Sequence, residues 1–136
     1  MDKQLVAEKL EALRVCVSRI ETKRPKTHEV LNQDADLQDI ISLNLTRAVQ
    51  LCVDIAAHII SESNNPPPGT MAESFDLLAQ QGIISSDLAL NLKKAVGFRN
   101  IAVHNYQTID WAIVHNVAHQ GIIDFQAFAK AINKQL

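Results

Sequence analysis

Residues 34–62, DADLQDIISLNLTRAVQLCVDIAAHIISE, decide the fold that we predict for this chain. Apolar residues recur in it at intervals of four and three, at Ile41, Leu45, Ala48, Cys52, Ile55 and Ile59. An α-helix turns once every ~3.6 residues, so this spacing forms one apolar stripe along a helix. We therefore expect a helix about 40 Å long from Asp34 to Glu62. The polar and proline-rich run at 64–69, NNPPPG, must end it.

The flanking sequence predicts four further helices. Pro25 ends the first, whose stripe consists of Val6, Leu10, Leu13, Val17 and Ile20. Thr70 and Glu73 form the capping-box pattern that begins the third helix, and Gln81-Gly82 closes it.

The last two helices follow at once. Ser85 or Ser86 caps a fourth helix that carries Leu88, Leu92 and Ala95. Thr108 is the expected cap of the fifth, with Asp110 in its first turn, and its stripe consists of Trp111, Val114, Ala118, Ile122, Phe125, Ala129 and Ile132. No stretch alternates as a strand does. The sequence predicts an all-α, up-and-down bundle of about five helices in a single domain, residues 1–136.

Composition narrows the possible functions. The chain has 136 residues, of which 47% are hydrophobic, with 13 Lys and Arg against 15 Asp and Glu, a net charge of −2. A chain with this balance does not bind polyanions in general, so any nucleic-acid contact must be local. We find no membrane span and no secretory signal. The two cysteines, Cys16 and Cys52, are expected to be reduced thiols in a cytoplasmic protein.

One residue interrupts the apolar stripe of the fourth helix. Continuing the stripe four residues beyond Ala95 reaches Arg99. Burying a guanidinium without a partner is costly, so Arg99 must meet an anion, a water-filled cleft or a subunit boundary. His104 follows five positions later near the expected helix end, and Asn100 and Tyr106 flank the pair.

This string is more specific than an arginine and a histidine alone. An Arg-x4-His match arises easily by chance, and cations are common at a helix C-terminus because they suit the dipole. The asparagine directly after Arg99 and the tyrosine two residues after His104 make a chance match far rarer. Tyr106 also has a structural alternative, in which its ring lies in the core and its hydroxyl in water.

At these residues the chain resembles the HEPN superfamily, and within it the HepT-like toxins of bacterial and archaeal toxin–antitoxin pairs. The family signature is an arginine, four to six residues and a histidine, often with a polar residue after the arginine. In HepT proteins a tyrosine stands two residues after the histidine. Arg99, Asn100, His104 and Tyr106 match these positions. The similarity extends over nearly the whole chain, including PPPGTMAESF at 66–75, Gly97-Phe98 and Ile109-Asp110.

The resemblance implies a metal-independent endoribonuclease that needs no cofactor. It implies a homodimer that brings two motifs into one cleft. It also implies a partner, a small nucleotidyltransferase antitoxin of the MntA kind encoded beside the toxin. In that subfamily the antitoxin attaches AMP to the motif tyrosine, which is Tyr106 here.

The chemistry of these side chains agrees with RNA cleavage. RNA carries its own nucleophile, the 2′-hydroxyl, so cleavage needs a base, an acid and stabilisation of charge on the phosphorane. His104 is the expected base, Arg99 can bind phosphate oxygens through two N–H groups, and Asn100 orients His104 or binds the phosphate. A second His104 across a dimer would supply the acid. Products would then end in 2′,3′-cyclic phosphate, and DNA would be spared.

Other residues receive weaker assignments. Lys93, Lys94 and Arg47 are guesses for contacts to the RNA backbone. His115 and His119 stand four apart on the last helix, a spacing that can hold a metal ion. Because no further ligand is nearby in the sequence, we expect them to form a solvated helix face.

Two other functions fit parts of the sequence. A non-catalytic subunit, which binds the substrate or nucleotide of a nucleotidyltransferase complex, would need the same fold and partner. It gives no reason for Arg99 and His104 at this spacing. A plain helical dimerisation module explains only the apolar stripes. We therefore expect a ribonuclease toxin.

Overall fold

Six α-helices build the molecule, and the computed structural model describes all 136 residues. The helices are α1 (Lys3–Lys23), α2 (His28–Gln33), α3 (Ala35–Ser61), α4 (Met71–Gln80), α5 (Ser86–His104) and α6 (Trp111–Asn133). A 3-10 turn at Tyr106–Thr108 joins the last two, and there is no strand. The prediction of an all-α bundle is confirmed, and five of the six helices are those that the apolar stripes indicate.

The longest helix, α3, packs against α1, α4, α5 and α6. All members of its predicted stripe are buried. By length and composition α3 could cross a membrane, but 56% of its most apolar 18-residue window is buried inside the bundle. Its apolar surface is therefore satisfied by the neighbouring helices, as in the central helix of a soluble domain.

Side-chain caps fix where the helices begin. Asp34 caps α3 and Ser85 caps α5, each by accepting a hydrogen bond from the backbone amide three residues further on. For α6 the prediction that Thr108 is the cap is wrong. The Asp110 carboxylate accepts a hydrogen bond from the backbone N–H of Ala112 at 3.0 Å and so caps the helix. Thr108 belongs to the preceding 3-10 turn instead.

The short helix α2 lies between Pro25 and Asp34, where we predict no helix. It has six residues, and Leu31 is its only buried side chain. A helix with one buried residue produces no apolar stripe, so periodicity cannot detect it. Packing against α3 and α6 holds it in place.

His115 and His119 lie where the connection between α1 and α2 meets α6. The Nε2 of His115 donates a hydrogen bond to the carbonyl of Pro25 at 3.0 Å, and its ring centre lies 6.5 Å from that of His28. The Nδ1 of His119 donates to the carbonyl of His115 at 2.8 Å. Both side chains are half-buried, so the prediction of a solvated face is wrong. His115 attaches the connection to α6, whereas the hydrogen bond of His119 lies within α6.

Two glycines give a matched test of backbone conformation. Gly82, just after α4, has a φ of +75°, whereas Gly97 is helical within α5. A Cβ added at either position meets no atom within 4 Å. We expect Gly82→Ala to lower the free energy of unfolding by about 1 kcal/mol, because the left-handed region disfavours an L-residue. Gly97→Ala should raise it by about 0.5–1 kcal/mol through helix propensity.

Urea unfolding at a single protein concentration measures the change in the free energy of unfolding for both glycine variants. Because the added methyl group has free space at both positions, packing does not enter the comparison. A shift of the same sign for the two variants would contradict this account.

Candidate active site

Arg99 lies on the side of α5 that faces α3, as the apolar stripe predicts. Its side chain is half-buried, and its Nε is buried without a hydrogen-bond partner. Its Nη1 donates to Asn100 Oδ1 at 3.2 Å, and its Nη2 lies 3.5 Å from Gln50 Oε1, which is long for a hydrogen bond. It takes part in none of the salt bridges of the chain. The guanidinium therefore has no acidic partner, and its buried Nε–H donor is unpaired.

Gln50 on α3 separates Arg99 from a nearby acid. The amide nitrogen of Gln50 donates to Asp54 Oδ1 at 2.8 Å, while its amide oxygen faces Arg99. Asp54 in turn pairs with Lys9 Nζ of α1 at 3.6 Å. The carboxylate charge is thus balanced by Lys9, and the side-chain contacts of Arg99 are the amide oxygens of Gln50 and Asn100.

His104 is the last residue of α5, and its side chain is exposed. Five residues separate it from Arg99, about 7.5 Å along the helix axis and about 140° around it. Of the two roles predicted for Asn100, orienting His104 is not observed, because the amide oxygen of Asn100 accepts from Arg99. The imidazole at the helix end is therefore accessible to a substrate or to a second chain.

Tyr106 lies in the 3-10 turn after α5. Its hydroxyl donates a hydrogen bond to Asp39 Oδ1 at 2.8 Å, and its ring packs edge-on against Trp111 with 5.8 Å between ring centres. The residue is 39% exposed, so the alternative with its ring in the core and its hydroxyl in water is wrong. Partial burial raises the pKa of the hydroxyl above its usual value; a hydrogen bond with Ser42 opposes this, and Asp39 adds to it. Tyr106 is therefore protonated at neutral pH.

A cavity of about 380 Å³ opens beside Tyr106, between α3 and the end of α5. Its lining consists of Asp39, Ser42, Leu43, Thr46, Ala102, Val103 and Tyr106. The polar groups of this lining come from α3 and from the turn. The cavity therefore presents the Tyr106 hydroxyl together with its acceptor.

Two of the three basic residues guessed as RNA contacts lie away from Arg99. Lys93 pairs with Asp76 of α4 at 3.1 Å, so its charge is already engaged. Lys94 lines a groove between α5 and α6. About 120° and 140° around the helix separate these two lysines from Arg99. The structure does not bring either of them to the motif.

The third basic residue, Arg47, lies in a groove between α1 and α3 together with Arg19. This groove has a volume of about 480 Å³ and includes Gln50, which also contacts Arg99. Neither Arg19 nor Arg47 takes part in a salt bridge. Two unpaired cations thus lie on the side of the bundle to which Arg99 is linked.

Sequence reasoning missed Asp39, Gln50 and Arg19. Asp39 lies 67 residues from the tyrosine that it contacts, and no local spacing connects the two. Arg19 lies on the exposed side of α1, where a basic residue carries no signal. Only the pair of Gln50 and Asp54, four residues apart on one helix, could be anticipated from spacing.

Comparison with known proteins agrees with this geometry. A family profile described as "Ribonuclease HepT-like" matches residues 9–132. The mRNA nuclease HepT of Shewanella oneidensis is 37% identical over 131 residues, which cover 96% of this chain and 98% of the relative. The tRNA nuclease HepT of Aphanizomenon flos-aquae is 28% identical over 100 residues, 73% of this chain and 68% of the relative.

A solved structure has the same arrangement of helices. It is the tri-AMPylated Shewanella oneidensis HEPN toxin in complex with MNT antitoxin, with a TM-score of 0.88, 38% identity and coverage of 95% of this chain and 96% of that one. The helical bundle is therefore that of a HEPN domain. Since the family profile spans most of the chain, the protein belongs to the HepT-like ribonuclease family.

Proposed function

We propose that this chain is the toxin of a toxin–antitoxin pair, an endoribonuclease that cleaves RNA without a metal ion through Arg99 and His104. The observation that carries the proposal is the state of Arg99, a half-buried cation with no acidic partner and an unpaired Nε. A structural arginine in this state would be costly. A phosphate group offers the missing charge and two acceptor oxygens.

In this mechanism the substrate supplies the nucleophile. His104 takes the proton of the 2′-hydroxyl, whose oxygen attacks the adjacent phosphorus. Arg99 binds the non-bridging oxygens and stabilises the charge that develops on them, while Asn100 holds one end of the guanidinium. The 5′-oxygen leaves with a proton, and the product keeps a 2′,3′-cyclic phosphate. DNA lacks the attacking hydroxyl and is spared.

A homodimer would complete the site, because one motif offers one imidazole for two proton transfers. Around the motif, Leu43 and Val103 line the same cavity and each expose about half of their surface, at 48% and 49%. Exposed apolar residues grouped in this way are typical of a surface that another chain covers. A twofold contact here would bring the second His104 toward the first as the acid.

Arg47 and Arg19 are the proposed contacts to the RNA backbone, whereas the ion pair of Lys93 argues against that residue. Phosphate contacts release counterions, and each one adds about 0.7 to the slope of log K against log salt for a single strand. A salt titration of RNA binding by Arg47→Ala therefore tests the contact, since an unchanged slope would exclude it.

A nucleotidyltransferase antitoxin would neutralise this toxin by adding AMP to Tyr106. The related toxin of Shewanella oneidensis is AMPylated and bound to its antitoxin. Tyr106 is partly exposed and stands two residues after His104, so a nucleotide attached there would cover the motif. We place the protein in the cytoplasm, where RNA and nucleotides are found and where free thiols such as Cys16 and Cys52 persist.

The test is cleavage of RNA in EDTA by the wild type and His104→Ala, with product ends mapped. We expect discrete cuts with 2′,3′-cyclic ends, no cut where the attacking nucleotide is 2′-deoxy, and a rate loss on the order of 10²–10⁴ for His104→Ala. His28→Ala, which changes an exposed histidine on α2, is the matched control.

Two outcomes would overturn this function. Equal activity of His104→Ala would identify a contaminating nuclease. An inactive wild type that is folded, dimeric and free of AMP would favour the non-catalytic subunit that binds the substrate of the nucleotidyltransferase.

A further inference from the structure

The carboxylate of Asp39 is committed to the Tyr106 hydroxyl. The side chain of Asp39 makes one hydrogen bond, the 2.8 Å contact with that hydroxyl, and it takes part in no salt bridge. Asp39 is exposed on α3, so water could solvate its charge without any help from the tyrosine. A hydrogen bond between a phenol and a carboxylate at an exposed surface contributes little to the free energy of unfolding. Its role therefore lies in its effect on the Tyr106 hydroxyl.

The surroundings of Tyr106 fix where its oxygen points. Asp39 holds the hydroxyl from α3, and Trp111 contacts the ring from the first residue of α6. The short 3-10 turn is thereby attached to two long helices. Tyr106 and Asp39 both line the 380 Å³ cavity beside the turn, where an incoming group has room.

We infer that Asp39 accepts the proton of Tyr106 when the partner nucleotidyltransferase transfers an adenylyl group to that hydroxyl. The inference rests on the proposed function, which makes Tyr106 the AMP acceptor. The Tyr106 oxygen forms a bond to the α-phosphorus of a nucleoside triphosphate held by the partner enzyme. The bond between that phosphorus and the oxygen that bridges to the β-phosphate breaks, and pyrophosphate leaves. The phenol proton moves to Asp39.

A proton acceptor is needed because the hydroxyl is neutral before transfer. Partial burial keeps the pKa of Tyr106 above its usual value, so the phenolate is scarce at neutral pH. A carboxylate is a weak base toward a resting phenol, but the phenol oxygen becomes strongly acidic as its bond to phosphorus forms. A hydroxyl that already donates to Asp39 has its proton directed at the acceptor before the transfer begins.

Completed transfer would change the contact from attraction to repulsion. Asp39, which is exposed, releases the accepted proton to water and becomes a carboxylate again. The modified tyrosine has no proton to donate, and its phosphodiester carries a negative charge beside that carboxylate. We therefore expect the modified side chain to swing away from α3 rather than remain in its original position. This would move the attached nucleotide toward the end of α5, where His104 lies.

The experiment follows AMP incorporation into purified toxin by its cognate nucleotidyltransferase with ATP and Mg²⁺, measured by mass spectrometry of the Tyr106 peptide. Asp39→Asn should lower kcat for modification on the order of 10² while leaving KM for the toxin nearly unchanged. Asp39→Glu should restore much of the rate, because it returns a carboxylate. Asp36→Asn removes an equal charge three residues earlier on α3 and should have no such effect.

The possible results separate the inference from the function beneath it. Modification of Asp39→Asn at the wild-type rate would overturn the role of Asp39 and leave the AMP acceptor in place. Incorporation into Tyr106→Phe, or none into wild type, would overturn both. A rise in KM with kcat unchanged would also contradict the inference, since it would indicate a docking contact. Circular dichroism and melting curves establish that each variant is folded.

Discussion

Arg99→Ala is expected to reduce RNA cleavage by a factor on the order of 10³ or more while the bundle stays folded. The guanidinium has no acidic partner, so its charge and its free Nε are available to a phosphate. Groups that stabilise charge developing in a transition state are worth on the order of 10²–10³ each, and arginines acting on phosphoryl groups are worth more. Single-turnover cleavage with enzyme in excess measures the chemical step directly.

Replacing Arg99 with leucine should raise the stability of the fold, in contrast to the loss of RNA cleavage expected for Arg99→Ala. The substitution removes a half-buried charge that lacks a counterion and leaves apolar volume between α5 and α3. We expect the free energy of unfolding to rise by about 1 kcal/mol, since apolar groups often replace poorly compensated charges favourably. Urea unfolding measures it, and a stability loss above about 2 kcal/mol would show that Arg99 serves the fold instead.

Two further variants complete the Arg99 series. Arg99→Lys keeps the charge but loses the planar pair of donors, so its rate should fall between those of the wild type and Arg99→Ala. Arg14→Ala removes an exposed arginine of α1 that pairs with Glu11, and it should cleave RNA normally. Full activity of Arg99→Ala would remove the basis of the proposed mechanism.

Phe128→Ala is expected to lower the free energy of unfolding by about 3–5 kcal/mol. Phe128 of α6 is fully buried, and its ring packs edge-on against that of Phe75, with 6.1 Å between the ring centres and 90° between the ring planes. The truncation removes a large apolar side chain and leaves a cavity that the helix backbones cannot close. A domain is usually stable by about 5–15 kcal/mol, so this variant would unfold at a much lower urea concentration.

Ile123→Ala on the same helix is the control for Phe128. Ile123 is 60% exposed, so its truncation should change stability by no more than about 0.5 kcal/mol. Both are measured at one protein concentration, because association would contribute to apparent stability. Equal losses at the two positions would show that Ile123 is covered in solution.

The sequence predicts the helices well because their apolar stripes are local patterns. The stripes that end at Ile20, Ile59 and Ile132 are buried nearly as expected. Phe128 is missing from the predicted stripe of α6, yet it is fully buried, because it lies three residues after Phe125 and four before Ile132, on the same face of the helix. Helix α2 produces no stripe at all and is therefore invisible to periodicity.

The candidate site divides in the same way. Arg99 and His104 belong to one helix, and their spacing and flanking residues can be read directly from the chain. The contact of Arg99 with Gln50 and that of Tyr106 with Asp39 both reach α3, and they exist only after the helices pack. The sequence can therefore name the candidate reacting groups, but it cannot say which side chains contact them after folding.

The unpaired state of Arg99 has a consequence for cells that escape the toxin by mutation. A substitution of Arg99 such as Arg99→Leu should leave the chain folded and raise its free energy of unfolding. Proteases that remove misfolded proteins would therefore not degrade it. Tyr106 would stay in place, and such a chain could still engage the antitoxin. An inactivated toxin chain would thus bind antitoxin that would otherwise neutralise intact toxin in the same cell. The escape mutation would therefore make the remaining intact toxin more harmful.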